Sequence, residues 1–268
     1  MRRFAAALLC LAALAGCQVR QGGGGLTFSA PEPRADVPYV PTPDAVVAAM
    51  LDMAKVGPGD VLIDLGSGDG RIPIAAGERG ARALGIEIDG DLVARARARA
   101  RDRGVSERVD FRREDLFGVR LRDATVVTLY LLPAVNQRLR PKLLTELRPG
   151  TRIVSHAFDM GDWPAEEHRL VEEKHVYRWT VPATAGGDWR LVTADGRARA
   201  LNLEQRFSAV SGTLDGRPLT GATLVGTQLS FTADGQRYRA LVGDAAIEPD
   251  PAASPGTVRG WRATRVEG

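Results

Sequence analysis

The residues best placed to do chemistry lie in VLIDLGSGDGR, 61–71. An apolar run ends in the acid Asp64, and Gly66, Gly68 and Gly70 follow at alternate positions around Ser67 and Asp69. A buried strand that enters a glycine turn and then opens a helix lets backbone approach a nucleotide-like ligand closely. Glycine tolerates positive φ in such a turn and leaves room that a side chain would take from the ligand. A second acid, Glu87, ends the apolar stretch ALGIEI (83–88), nineteen residues past Gly68. In doubly wound α/β folds a carboxylate there accepts hydrogen bonds from both ribose hydroxyls at once.

These pieces resemble a class I S-adenosylmethionine-dependent methyltransferase. The resemblance is carried by VPYVPTPDAVVAAMLDMA (37–54), DLGSGDGR (64–71), GIEID (85–89), VDFRREDLF (109–117), VVTLYLLP (126–133) and LRPGTRIVSHAFDMGDW (147–163). More narrowly, the set is similar to the small ATP synthase c-subunit lysine methyltransferases, over roughly residues 37–165. The resemblance implies that Asp64, Ser67 and the backbone of Gly66, Gly68 and Gly70 hold the methionine moiety, Glu87 the ribose and Asp115 the adenine amine. It implies S-adenosyl-L-methionine as cofactor and a nitrogen acceptor, a protein lysine first. The donor's ammonium and sulfonium gain Coulomb energy from carboxylates in a partly desolvated cleft. A dinucleotide fits less well: the spacing is G-x-G-x-G, not G-x-G-x-x-G, and Asp69 inside the turn repels a pyrophosphate.

On the acceptor side, Tyr130 in TLYLLP occupies the post-strand-4 position where class I enzymes orient the acceptor nitrogen, and His156 and Asp159 follow the fifth strand, with Asn136 a weaker candidate. Tyr130 and His156 are the candidates for the catalytic role; a packed strand tyrosine and a structural histidine are the plain alternatives. The chain lacks the Asn-Pro-Pro-Tyr form of nucleic-acid nitrogen methyltransferases. His156, His168 and His175 fit no compact metal-ligand spacing, so no metal is expected.

These residues must be positioned by alternating strands and helices. A helix is expected over 43–55, with Thr42 as its cap and Pro43 in its first turn. Strands are expected near 60–65, 83–88, 108–113, 125–131 and 151–156, giving a Rossmann-like α/β fold with a mostly parallel sheet. Asp64, Glu87, Asp115 and Tyr130 then converge at carboxyl ends of strands, where such sheets bind ligands. Beyond about residue 165 the pattern changes. Period-two runs such as Leu201/Leu203 and Leu229/Phe231 alternate with Asp-Gly turns at 195, 215 and 234. That predicts antiparallel hairpins, about six to eight strands forming a small barrel or sandwich over 176–268. Trp189 and Trp261 are expected in its core.

The N-terminus carries its own signal. Met1-Arg2-Arg3, an apolar stretch over 4–15 and LAGC at 14–17 read as a bacterial lipoprotein signal with Cys17 as the lipidated residue. A glycine- and proline-rich linker over 18–36 follows. This predicts a lipid-anchored envelope protein, or one held on the cytoplasmic side if the signal is not processed. Adenosylmethionine is made in the cytoplasm, so an exported enzyme needs a donor supply; the alternative reading is a non-catalytic envelope lipoprotein that binds a nucleoside-like ligand or a partner protein. A net charge of +3 over 268 residues is too small to argue for nucleic acid. The basic run RARARARDR (95–103) reads as a solvated helix face.

Overall fold

The structure, a computed structural model, describes residues 39–266. The predicted signal, Cys17 and the 18–36 linker lie outside the described residues.

The first sheet is built around Val61–Leu65 (β1), an apolar strand buried on both faces as a central parallel strand must be. Helix α1 (Asp44–Met53) precedes it, and α2 (Arg71–Glu78) follows the glycine turn. Then come β2 (Arg82–Glu87), α3 (Gly90–Asp102), β3 (Val109–Arg113), β4 (Val126–Leu129), α4 (Pro133–Glu146) and β5 (Arg152–His156). Two further strands, β6 (Glu167–Val171) and β7 (Lys174–Thr180), complete a seven-stranded sheet of order β3-β2-β1-β4-β5-β7-β6. β1 to β5 pair in parallel, and β7 runs antiparallel to both β5 and β6. The order reverses at β1/β4, so the crevice beyond their carboxyl ends is the expected ligand position. One face of the sheet packs Met50, Leu51, Ile74 and Phe111 beneath α1, α2 and α3; the other packs Leu129, Leu139, Leu143 and Trp179 against α4.

The boundary drawn from sequence needs correction. Val176–Thr180 was expected in the β domain, yet these residues pair with His156–Arg152 inside the first sheet. Alternation explains the ambiguity: Val176 enters one core and Trp179 the other. A two-sided strand reads the same in either context.

The remaining chain forms a nine-stranded antiparallel sheet. Its strands are β8 (Gly187–Val192), β9 (Ala198–Arg206), β10 (Ala209–Leu214), β11 (Arg217–Pro218), β12 (Thr220–Val225), β13 (Gln228–Ala233), β14 (Gln236–Val242), β15 (Ala246–Pro249) and β16 (Arg262–Arg265). The order is β11-β10-β9-β8-β16-β15-β14-β13-β12, with β10 lying beside β12 so that the sheet nearly closes. Asp215-Gly216 and Asp234-Gly235 both turn with positive φ, as two-residue hairpin turns require. Trp189 and Trp261 are buried in this core with Phe231 and Tyr238.

The barrel meets the first sheet through the β9–β10 turn. Phe207 stacks on Trp163 at 5.8 Å between ring centroids, and Asp162 takes ion pairs from Arg140 of α4 and Arg206 of β9. The hairpin thus braces the 158–163 segment that follows β5. Among the described residues no helix is long and apolar enough to cross a membrane.

Candidate functional site

The glycine turn leaves β1 at Leu65. Gly66 and Ser67 both donate backbone N–H to the Ile86 carbonyl of β2, and Gly70 donates to the Ser67 carbonyl. Gly66, Gly68 and Gly70 all have positive φ (79°, 53° and 80°). The need for glycine is sharper than ligand room alone. A Cβ on Gly70 would sit 2.5 Å from the Phe111 ring and 2.8 Å from Ala96, and one on Gly68 would sit 2.5 Å from the Tyr39 ring. The chain's own side chains close on this backbone.

Asp64 is 2% exposed, and its Oδ1 accepts the Thr128 hydroxyl of β4 at 2.7 Å. Burial pushes its carboxyl up to about 7; Glu87 and Asp69 add to the rise, against the Thr128 hydrogen bond. Among the described residues no cation acts on this buried acid, a charge that a cationic ligand would provide. Glu87, also buried, accepts N–H from Gly68 at 2.9 Å on Oε2 and from Ile88 and Asp89 on Oε1. It ties the tip of the glycine turn to the end of β2. Ser67 Oγ is buried with no hydrogen-bond partner among the described residues. Asp115 stands exposed, two residues past the end of β3, and caps the Phe117 N–H at 2.9 Å.

Asp69 behaves differently from its sequence reading. Burial opposes its ionisation, but Arg71 and Arg99 hold it below the usual carboxylate range. The Arg71 and Arg99 contacts are 2.8 and 2.6 Å. The turn therefore does not present a bare negative charge, and this part of the case against a pyrophosphate falls away. Arg99 belongs to the basic run on α3. That run is not simply a solvated face: Arg97 also donates to the Phe111 carbonyl, and Arg103 pairs with Glu78.

Across the crevice, Tyr130 follows β4 and His156 ends β5. Their ring centroids lie 3.8 Å apart with planes 31° apart, and Phe158 lies beyond Tyr130 at 6.5 Å. His156 is 1% exposed, and burial, with Lys174 adding, lowers it to about 4, so the ring is neutral at pH 7. Its Nδ1 lies 3.1 Å from Thr42 Oγ1, while Nε2 is buried with no partner among the described residues. Asn136, fully buried near the start of α4, donates Nδ2 to the Phe158 and Asp159 carbonyls; its Oδ1 is likewise unpartnered among the described residues. Asp159 is exposed and caps the Gly161 N–H.

Sequence reasoning missed two participants. Thr42 does not cap α1: no side-chain cap bond is made there, Pro43 holds the N-cap position, and the Thr42 hydroxyl goes to His156 instead. Tyr39 covers Gly68, and its phenol contacts Asp69 and Arg71; burial and Asp69 raise it above its ordinary value. The lead-in Tyr-Val-Pro-Thr-Pro was visible in sequence, but not its contacts.

A doubly wound sheet with a glycine turn at its switch point, a buried acid on β1 and a second buried carboxylate at the end of β2 is the arrangement of a class I methyltransferase fold. The comparisons agree. The family model of the ANTKMT methyltransferase domain matches residues 64–167. A protein-lysine N-methyltransferase of Saccharolobus islandicus is 45% identical over 142 residues, 52% of this chain and 88% of that protein. The adenine nucleotide translocase lysine N-methyltransferase of Mus musculus is 43% identical over 131 residues, where the chain spans 57% of the relative's length and 48% of its own. A Salinibacter ruber RNA methyltransferase, solved with S-adenosyl-L-homocysteine, is 57% identical with a TM-score of 0.52, over 53% of this chain and 94% of that one. The chain belongs to the family of class I S-adenosylmethionine-dependent methyltransferases of the ATP synthase c-subunit lysine methyltransferase type.

The site fits this cofactor. Among the described residues its buried acid has no cationic partner, and Ser67 Oγ has no hydrogen-bond partner.

Proposed function

We propose that this chain methylates the side-chain amine of a protein lysine. The observation that carries the reading is the Tyr130–His156 pair at the ends of β4 and β5, across the switch point from the glycine turn. Asp64 and the backbone of Gly66–Gly70 hold the methionine end of the donor, Glu87 the ribose hydroxyls, and Asp115 the adenine amine. Bound adenosylmethionine supplies a methyl group on a sulfonium, an electrophile that needs no further activation by the protein.

The protein's work is then positioning and desolvation. A lysine attacks only through a free lone pair, and an apolar approach lined by Tyr130 and Phe158 favours its neutral form. A neutral His156 adds no repulsive charge against the amine. The nitrogen–carbon bond forms as the carbon–sulfur bond breaks, and the surplus amine proton leaves to solvent. The 45% identity to a protein-lysine N-methyltransferase supports lysine as acceptor.

An RNA acceptor is the second reading, favoured by the 57% identity to the Salinibacter ruber RNA methyltransferase. Methyl-labelled adenosylmethionine supplied with a lysate, with protein and RNA then separated, tests both. Label on lysine, located by peptide mass spectrometry, supports the proposal. Label in RNA overturns it for the second reading, and no label from protein that binds the donor leaves a non-catalytic binding module. For placement in the cell we propose a lipid anchor at Cys17; mass spectrometry of the mature N-terminus gives diacylglyceryl-Cys17 if this is right and intact Met1 if it is wrong.

A further inference from the structure

The outer face of the barrel carries a cleft that shares no residue with the donor crevice. It spans β12, β13 and β14 and has a volume of about 380 Å³, enough for a small ligand. Side chains alternate along each strand. Tyr238 and Ala240 enter the barrel core, so Arg237 and Arg239 face outward; Phe231 enters it, so Ser230 and Thr232 face outward. Register sets guanidiniums beside hydroxyls: Arg239 pairs with Ser230, Arg237 with Thr232, and Ser230 in turn with Thr223. All five of these side chains belong to residues lining the cleft. Along one wall β12 bulges between Thr220 and Thr223, where Gly221 has a φ of 60°. Bulges of this kind bend a strand and re-aim its side chains.

Charge matching on the barrel fails at this place. Arg197, Arg199, Arg217 and Arg262 each hold an acid at 2.6–2.9 Å. Arg237 has no ion pair among the described residues, and Arg239 meets its acid, Asp250, only at 3.9 Å. Asp250 is buried, and its Oδ1 accepts the Ala252 N–H at 2.9 Å. The backbone fixes this wall too: the Asp250 N–H donates to the Arg239 carbonyl and the Val258 N–H to the Arg237 carbonyl. Two guanidiniums against one buried carboxylate leave the cleft net positive. Each guanidinium presents a planar fork of N–H donors that matches two oxygens of a phosphate or carboxylate. The Thr232 hydroxyl, which makes no hydrogen bond among the described residues, and the Thr223–Ser230 hydroxyl pair at 2.7 Å add neutral donors beside the forks.

We infer that this cleft is a second ligand site, which binds a phosphate or carboxylate oxyanion between Arg237 and Arg239, with the hydroxyls of Ser230 and Thr232 completing its coordination. The volume leaves room for a sugar-sized group attached to the anion. The inference is independent of what the first domain methylates.

The test is guanidinium NMR of the full chain titrated with inorganic phosphate, glucose 6-phosphate, glycerol 3-phosphate and glucose. The three phosphates are expected to shift the Arg237 and Arg239 signals saturably, and glucose is not. Tighter binding of glucose 6-phosphate marks a soluble sugar phosphate as the source of the anion; tighter binding of glycerol 3-phosphate marks a lipid headgroup. Arg237→Gln, at an exposed position, is expected to weaken phosphate binding at least about tenfold, the loss of one charge-assisted hydrogen bond. Asp250→Asn, which removes the opposing charge, is expected to strengthen it. Arg190→Gln, an exposed barrel arginine outside the cleft, should leave it unchanged. No saturable shift with any phosphate overturns the inference. Unchanged affinity in Arg237→Gln overturns it as well, and an equal loss in Arg190→Gln would show only diffuse attraction and overturn it too.

Discussion

Donor binding is expected to depend on pH through Asp64. Its carboxyl is held near 7 in the folded protein, against 3.8 for an ordinary aspartate. Three pH units correspond to roughly 4 kcal/mol favouring the protonated form. The sign follows from the two states. Between about pH 4 and pH 7 the unfolded chain has lost a proton that the folded chain keeps, so this group's contribution to stability falls as pH rises through that window and levels off above it. A cationic donor reverses the preference, because it binds the carboxylate and not the acid. From pH 5.5 to 7.0 the ionised fraction rises from about 3% to about 50%, so donor affinity is expected to increase about fifteenfold. Isothermal calorimetry with adenosylmethionine across that range measures it, and in buffers of different ionisation enthalpy it also counts the proton released. Asp64→Asn keeps the shape and can still accept the Thr128 hydroxyl, so it is expected to bind weakly with little pH dependence. A flat wild-type profile, or the same slope in Asp64→Asn, refutes the assignment.

Other substitutions separate packing from binding. Gly70→Ala forces a Cβ into Phe111 and Ala96 at a positive φ and should cost about 2–4 kcal/mol in urea unfolding; a loss under about 0.5 kcal/mol would show that the turn relaxes. Glu87→Ala removes the acceptor of the Gly68, Ile88 and Asp89 N–H groups, and adenosylhomocysteine affinity should fall at least about tenfold by calorimetry. Unchanged affinity would place the ribose elsewhere. Phe207→Ala withdraws the ring stacked on Trp163 and should lower stability by about 1–2 kcal/mol while shifting tryptophan emission. No change in either would mean that the barrel hairpin does not brace the 158–163 segment.

Much of the site was legible residue by residue. Asp64 and Glu87 could be read at strand ends because an apolar run that stops at an acid and then meets glycine has few local alternatives. The hairpin turns at Asp215 and Asp234 were legible for the same reason: the dipeptide itself supplies the positive φ. Thr42 misled because Thr-Pro before an amphipathic run is a good helix-start signal, while the competing partner lies on β5. Arg99 misled because nothing in an alanine–arginine repeat tells which guanidinium reaches back to Asp69.

Local chemistry along the chain sets the grammar: a strand–glycine turn–helix unit, acids at strand ends, alternating strands punctuated by Asp-Gly. These follow from backbone preference and side-chain period, which neighbouring residues set. Tertiary structure alone decided that β7 enters the first sheet beside β5, that Phe207 docks on Trp163, and that Thr42 meets His156. Those pairings depend on which surfaces remain to be covered once the local elements exist, and on polar atoms that can be buried only in each other's company.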